Sequence, residues 1–315
     1  MLDENLLREP ADRGIRLVAL SLIDRARTAG AALRHASHDL PEGAGKSDDA
    51  LHDFRVAVRR LRSWIRAFKP WLREDVSRKR RKRLKAIADA TNAIRDATVH
   101  LEWLRDEHRR LTAPQRAGYR LLESRLSAER ASGVDPALEA ANEFAAMADK
   151  LAKRFDVYCE PVETDEPPPR FGAVLAERVL EESESLRASL ALIEGANDVD
   201  HAHRARIAAK RLRYVAEPVS SLVDADAMIE ELKLLQDSLG SLHDVHLFST
   251  ELVKASDDPG PGVLHFAERL HARGAHAYAD VKRHWLGDAA APFFDRVRRV
   301  ADDLTRRAGD VPHEQ

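Results

Sequence analysis

Apolar residues recur at three- and four-residue spacing along almost the whole 315-residue chain, and period-two alternation is nearly absent. This spacing predicts helices over roughly 12–38, 49–69, 75–109, 115–131, 136–156, 171–194, 200–217, 225–254, 262–278 and 290–308. The breaks have local causes. Pro41, Gly43 and Gly45 follow the first helix, Pro70 closes the second, and Thr112-Ala113-Pro114 and Gly133-Val134-Asp135-Pro136 are stops followed by new N-termini. Asp257 to Gly262 carries two prolines and two glycines and is expected to be a loop. The segment Val162 to Gly172 holds three consecutive prolines among acids and is expected to be an extended, solvated linker.

That linker lies near the middle of the chain, and a repeat straddles it. LHDFRVAVRRLR (Leu51 to Arg62) aligns with AHRARIAAKRLR (Ala202 to Arg213) at an offset of 151. Leu84-Lys85, Asp89 and Arg95-Asp96 align with Leu232-Lys233, Asp237 and His243-Asp244 at an offset of 148. Two matched segments in one order predict two similar helical bundles related by an approximate twofold axis, with residues 1–160 as the first repeat, 161–171 as the linker and 172–315 as the second.

Composition supports helices, with abundant Leu, Ala, Arg and Glu and only 5% aromatic residues. The net charge of -2 gives no hint of a polyanionic partner, but the distribution does. Fourteen Lys or Arg stand against three acids between His52 and Lys85, enough to build a local positive field inside a neutral protein. The single cysteine, Cys159, rules out an internal disulfide and fits a reducing compartment. No signal peptide or membrane span is read in the sequence, so a cytoplasmic protein with no membrane partner is expected.

On a helical wheel His52, Arg55, Arg59, Arg62 and Arg66 share one narrow arc, flanked by Leu51, Phe54, Val58, Leu61, Ile65 and Phe68. The cations therefore lie at the edge of the buried face, where a neighbouring helix can overhang them. In the second copy His203, Arg206, Lys210 and Arg213 take the same place. Cations one turn apart repel each other by a few tenths of a kcal/mol per pair, about enough to require carboxylates or a bound anion nearby. Phosphate suits the geometry, because guanidinium groups grip it bidentately and stay charged when partly desolvated. Turns spaced ~5.4 Å apart offer repeated grips to a linear polyanion. Arg78, Lys82, Lys85, Asp89, Asn92 and Asp96 share a face of the next helix, where Asp89 and Asp96 are expected to hold arginines of the stripe.

The pattern HxxRxxxRRxR from His52 to Arg62, its partner HRARIAAKRLRY from His203 to Tyr214, and LQDSLGSLHD from Leu235 to Asp244 resemble the CHAD domain, the conserved histidine α-helical domain. The resemblance runs from about Leu6 to Arg307. It implies an all-α fold of two four-helix-bundle-like repeats with pseudo-twofold symmetry, a basic central channel that binds inorganic polyphosphate, and association with polyphosphate granules. Carried over by position, it implies ligand contacts at His52, Arg55, Arg59, Arg62, His203, Arg206, Lys210 and Arg213, with Lys82, Lys85 and Lys233 behind them. Arg60, Arg66, Arg78 and Arg211 complete the expected set. The second copy departs from the first at Glu217, which stands where the first has Arg66, and at Pro218, which is expected to break its helix.

No catalytic residue, metal or cofactor is expected. His201 with His203 and His243 with His246 are crowded by arginine and make poor ligands for a dication. Protonation of His52 and His203 is expected to tighten phosphate binding near pH 6 (about one unit from neutrality). Trp64, Trp71, Trp103 and Trp285 fall on apolar faces and are read as packing. The alternatives to a binding protein are an enzyme that hydrolyses or transfers phosphate from polyphosphate and a nucleic-acid-binding protein. Neither an ExExK strand nor a P-loop occurs, and a narrow channel would exclude a duplex, so nucleic acid is not expected as partner. The oligomeric state is not legible.

Overall fold

The structure, a computed structural model, describes residues 4–38, 44–108, 111–113, 115–157, 168–221, 223–254 and 261–309. Cys159, most of the expected linker and most of the expected 257–262 loop lie outside the described residues. Helix α1 (Ala11–His38) follows a short 3-10 turn at Glu4–Arg8 that the apolar spacing does not predict. Then come α2 (Ala44–Ala67) and the single turn α3 (Lys69–Leu72), with Pro70 in its first turn, where the missing amide proton costs nothing. The expected helix over 75–109 is in fact two, α4 (Arg78–Ala90) and α5 (Asn92–His108). The break falls at Thr91, which is buried and whose hydroxyl donates to the Ala88 carbonyl at 2.8 Å. That side-chain bond offers the backbone an alternative to the next helical turn, and the apolar period continues across it unchanged.

The remaining helices are α6 (Gln115–Ser132), α7 (Val134–Val157), α8 (Phe171–Ala191), α9 (Val199–Ala216), α10 (Asp226–Lys254), α11 (Pro261–Trp285) and α12 (Ala291–Gly309). Helix α9 gives way at Glu217–Val219 to a 3-10 turn, as Pro218 requires. Helix α11 runs beyond the expected 278 because Val281 and Trp285 continue its buried face. It stops before Gly287, whose φ of 61° suits a residue without a Cβ. Among the described residues no helix is long and apolar enough to cross a membrane.

Helices α1, α2, α4 and α7 pack on one another, and so do α8, α9, α10 and α12. The two groups meet along α1–α8 and α2–α9, and one buried apolar cluster runs through both. Trp64 sits in it fully buried, with its indole N–H donating to the Ile15 carbonyl at 3.0 Å, which ties α2 to α1. At the α1–α8 crossing a Cβ on Gly14 would lie 2.4 Å from the ring of Phe171, so only glycine permits this approach. The α5–α6 and α10–α11 hairpins join through a separate apolar cluster that includes Leu101, Leu104, Phe248 and Phe266. Trp103 packs against that cluster, Trp285 belongs to the main core and Trp71 packs on it, so all four tryptophans are packing residues.

Candidate functional site

The two segments matched in the sequence repeat, on α2 and α9, lie side by side. Because their cationic arcs border the buried faces, packing the two helices turns both arcs toward shared space. Two cavities occupy that space. The first, of about 750 Å³, is walled by α2 (His52, Arg55, Arg59, Arg60), α5 (Asn92, Arg95, Asp96, His100), α9 (His203, Arg206, Lys210, Arg213) and α10 (Lys233, Gln236, Asp237, Asp244). The second, of about 630 Å³, is walled by Arg62 and Arg66 of α2, Arg78, Arg81, Lys82 and Lys85 of α4, and Arg211 of α9. Arg59, Asn92, His203, Arg206, Lys210 and Tyr214 line both. All fifteen residues expected from the sequence line one cavity or the other.

Neutral and acidic side chains fix the arginines at the centre. Asn92 Oδ1 accepts from Arg59 at 2.9 Å and from Arg55 at 3.3 Å, and Asp96 Oδ1 lies 3.4 Å from Arg55. Asp96 therefore does what the sequence predicts. Asp89 forms its ion pair with its i,i+4 neighbour Lys85 on the exposed face of α4, and its charge also acts on Arg62 of the stripe. In the second copy Arg206 lies in the field of Asp244, the counterpart of Asp96. Gly240 lets α10 come close here, since a Cβ would stand 3.3 Å from Arg206 Nε.

Several expected contacts are already neutralised. Glu217, 11% exposed, accepts from Arg60 Nε at 2.6 Å and lies 3.2 Å from Arg213 Nε. Arg66 pairs with the buried Glu182 at 3.2 Å, and Lys233 with Glu230 at 2.6 Å. No ion pair to Lys210 occurs among the described residues. Burial, together with the charges of Arg206, Arg59, Arg55 and Arg213, pushes its amine down to about 6. Burial first, then Arg59, lowers Arg55 to about 10. His52 is depressed by burial and by Arg95, and His203 by burial, Arg206 and Lys210. Both imidazoles therefore resist protonation in the free protein, and an anion beside them would favour it. Burial raises the Asp244 carboxyl, against the pull of Arg206.

Arg81, Arg95, Tyr214, Gln236 and His100 also line the cavities and were not singled out from the sequence. Arg81 lies within the run RKRRKRLK and Arg95 within the repeated Arg95-Asp96 pair, so both carried a signal. Gln236, 5% exposed and with Nε2 lacking a hydrogen-bond partner among the described residues, lies within the motif LQDSLGSLHD, whereas His100 lies in none of the matched segments. His201 is held by Asp198, at 2.7 Å from Nδ1, whereas His203 faces the cavities, so this pair does not converge on one point. The side chain of His243 lies outside the described residues.

The family pattern described as "CHAD domain" matches residues 27–253. Among solved structures, the CHAD domain from the plant Ricinus communis is similar at a TM-score of 0.67 and 19% identity, over 91% of this chain and 93% of that one. PptA from Streptomyces chartreusis is similar at a TM-score of 0.56 and 21% identity, over 92% of this chain and 100% of that one. At these identities the likeness is one of fold. No curated protein sequence matches this one.

Proposed function

The chain belongs to the CHAD domain family, and from that membership we propose that it binds inorganic polyphosphate without turning it over. The observation that carries the reading is Lys210, a partly buried amine surrounded by Arg55, Arg59, Arg206 and Arg213 in the space the two cavities share. Such a cluster is unfavourable in the empty protein and becomes favourable when an anion fills it. Phosphate supplies the anion that several guanidinium groups and an ammonium can grip together. Six shared lining residues favour reading the two cavities as one path for a linear chain, with His52 and His203 as hydrogen-bond donors along it. The role that follows is a granule-associated or targeting module, in which affinity and not chemistry is the product.

The test is a calorimetric titration with long-chain polyphosphate at two salt concentrations, comparing wild type with Arg55→Ala/Arg206→Ala. Salt-sensitive binding that collapses in the double variant is the expected result. Binding indifferent to both arginines would sink the assignment. Orthophosphate release in the presence of magnesium would make the protein an enzyme, and equal affinity for duplex DNA would make phosphate density alone the determinant.

A further inference from the structure

Among the described residues no hydrogen bond or ion pair engages Lys210 Nζ, although Asp96, Glu217, Asp237 and Asp244 share its cavity. Those acids are committed elsewhere or stand in solvent. Asp96 of α5 pairs with Arg55 at 3.4 Å, and Glu217, just past α9, pairs with Arg60 at 2.6 Å and Arg213 at 3.2 Å. Asp237 of α10 is exposed, and burial raises the carboxyl of Asp244, whose strongest charged neighbour is Arg206. From α8 the buried Glu182 takes Arg66 at 3.2 Å and acts on Arg211. The surroundings of Lys210 are therefore cationic: Arg206, Arg213 and His203 along α9, with Tyr214 one turn on, and Arg55 and Arg59 from α2. Burial and these arginines push the amine down to about 6, so near neutral pH it carries a free lone pair. An ordinary lysine, with a pKa of about 10.4, has roughly a thousandth of its amine free there. A neutral lysine amine is a nucleophile, and desolvation beside other cations is a known way to activate one. The cavity of about 750 Å³ around it admits a small molecule.

We propose that Lys210 is an acylation site for small acyl phosphates, whose phosphate the surrounding arginines hold while the carbonyl lies against the lysine amine. Such a compound fits the arrangement because one oxygen joins the group that is gripped to the group that reacts. Guanidinium groups hold phosphate bidentately, and Arg206, Arg59, Arg55 and Arg213 all surround the amine. The Nζ lone pair attacks the carbonyl carbon and forms the amide N–C bond. The bond from that carbon to the bridging oxygen breaks, orthophosphate leaves with the electron pair, and the amine's proton passes to water. The same arginines stabilise the charge that grows on the leaving phosphate. Holding the partners together offsets the weaker nucleophilicity of a less basic amine. A small acyl phosphate brings about two negative charges against four guanidinium groups, so the amine regains less basicity than under a polymer. The product is a neutral amide at the point the two cavities share, which removes one contact to phosphate. Acylation needs only an anion site, whereas its consequence for polyphosphate rests on the reading above.

The experiment incubates the whole protein with acetyl phosphate and follows each lysine by peptide mass spectrometry, with Lys282, exposed on α11, as comparator. At low reagent the rate at Lys210 is expected to level off above about pH 7, because it reports the amine of the free protein. An ordinary exposed lysine instead speeds up about tenfold per pH unit to about pH 10. At about pH 7 Lys210 should react at least about tenfold faster than Lys282. A Lys210 rate that climbs with pH as an ordinary lysine's does, or that never exceeds that of Lys282, overturns the proposal. Arg206→Gln separates recruitment from bare reactivity. At about pH 9, where the Lys210 amine is free, it should slow acetyl phosphate at least about fivefold and neutral p-nitrophenyl acetate less than about twofold. Equal effects on the two reagents refute the grip on phosphate. In wild type, inorganic pyrophosphate should protect Lys210 from acetyl phosphate and leave Lys282 reactive; no protection refutes the site as well. Titration of the acylated protein with polyphosphate should show affinity about 10- to 100-fold lower than that of the unmodified protein. Acylation at Lys210 in a protein that binds no polyphosphate overturns the family reading and leaves this one standing.

Discussion

Lys210→Met is the substitution whose two consequences have opposite signs. In the empty protein Lys210 lies among four arginines and has lost most of its water, so it opposes folding. Four like-charge neighbours at a few tenths of a kcal/mol each give about 1 kcal/mol, and a buried amine adds a desolvation cost that brings the sum to about 1–3 kcal/mol. Methionine has similar length and no charge, so it removes both terms with little loss of packing. For a chain of this size the melting temperature is expected to rise by about 2–6 °C. In the complex the same replacement deletes a charge-assisted contact to phosphate worth about 1.5–3 kcal/mol, which weakens binding by about 10- to 100-fold. Differential scanning calorimetry of the free proteins and titration with polyphosphate read the two effects. A variant that melts lower than wild type, or that binds polyphosphate equally well, would refute the reasoning, because the cluster would then be a structural network and not a vacancy for an anion.

Four further outcomes follow from the structure. The depressed Lys210 amine, near 6 when the site is empty, must rise when phosphate binds, so binding takes up a proton: affinity should increase as pH falls from 8 toward 6 (about a hundredfold range of proton activity), and the calorimetric enthalpy at pH 7.5 (roughly mid-range) should depend on buffer ionisation. For the free protein the sign is the reverse, since a lysine whose folded pKa lies below its unfolded value makes stability fall as pH drops from about 10 to about 6. Lys82→Ala, at an exposed position of the α4 mouth, should leave the melting temperature unchanged and reduce the slope of log affinity against log salt by about 0.7; an unchanged slope would remove Lys82 from the contact set. Gly14→Ala would drive a methyl group into Phe171 where α1 crosses α8, and thermal or denaturant unfolding should show a loss of about 1–3 kcal/mol.

What the sequence determined by itself was everything that repeats within a few turns of helix. The spacing of Phe54, Val58, Leu61 and Ile65 made α2 a helix with one buried face, and the neighbouring arc put His52, Arg55, Arg59 and Arg62 at that face's edge. The offset repeat named their counterparts on α9, because duplicated segments keep their register. Pro218 announced the end of α9. Tertiary structure decided the rest. The bend at Thr91 depends on a buried hydroxyl that turns back to its own helix, an event without periodic signature. Which cations stay available depends on partners far away in the chain: Glu217 reaches Arg60 across 157 residues and Glu182 reaches Arg66 across 116, distances over which sequence spacing carries no information. Lys210 looked like one more member of a row, and only the approach of α2 to α9 placed it among four arginines. A helix fixes the direction of its side chains through local sterics, but the field each charge experiences is set by whatever helices pack against it.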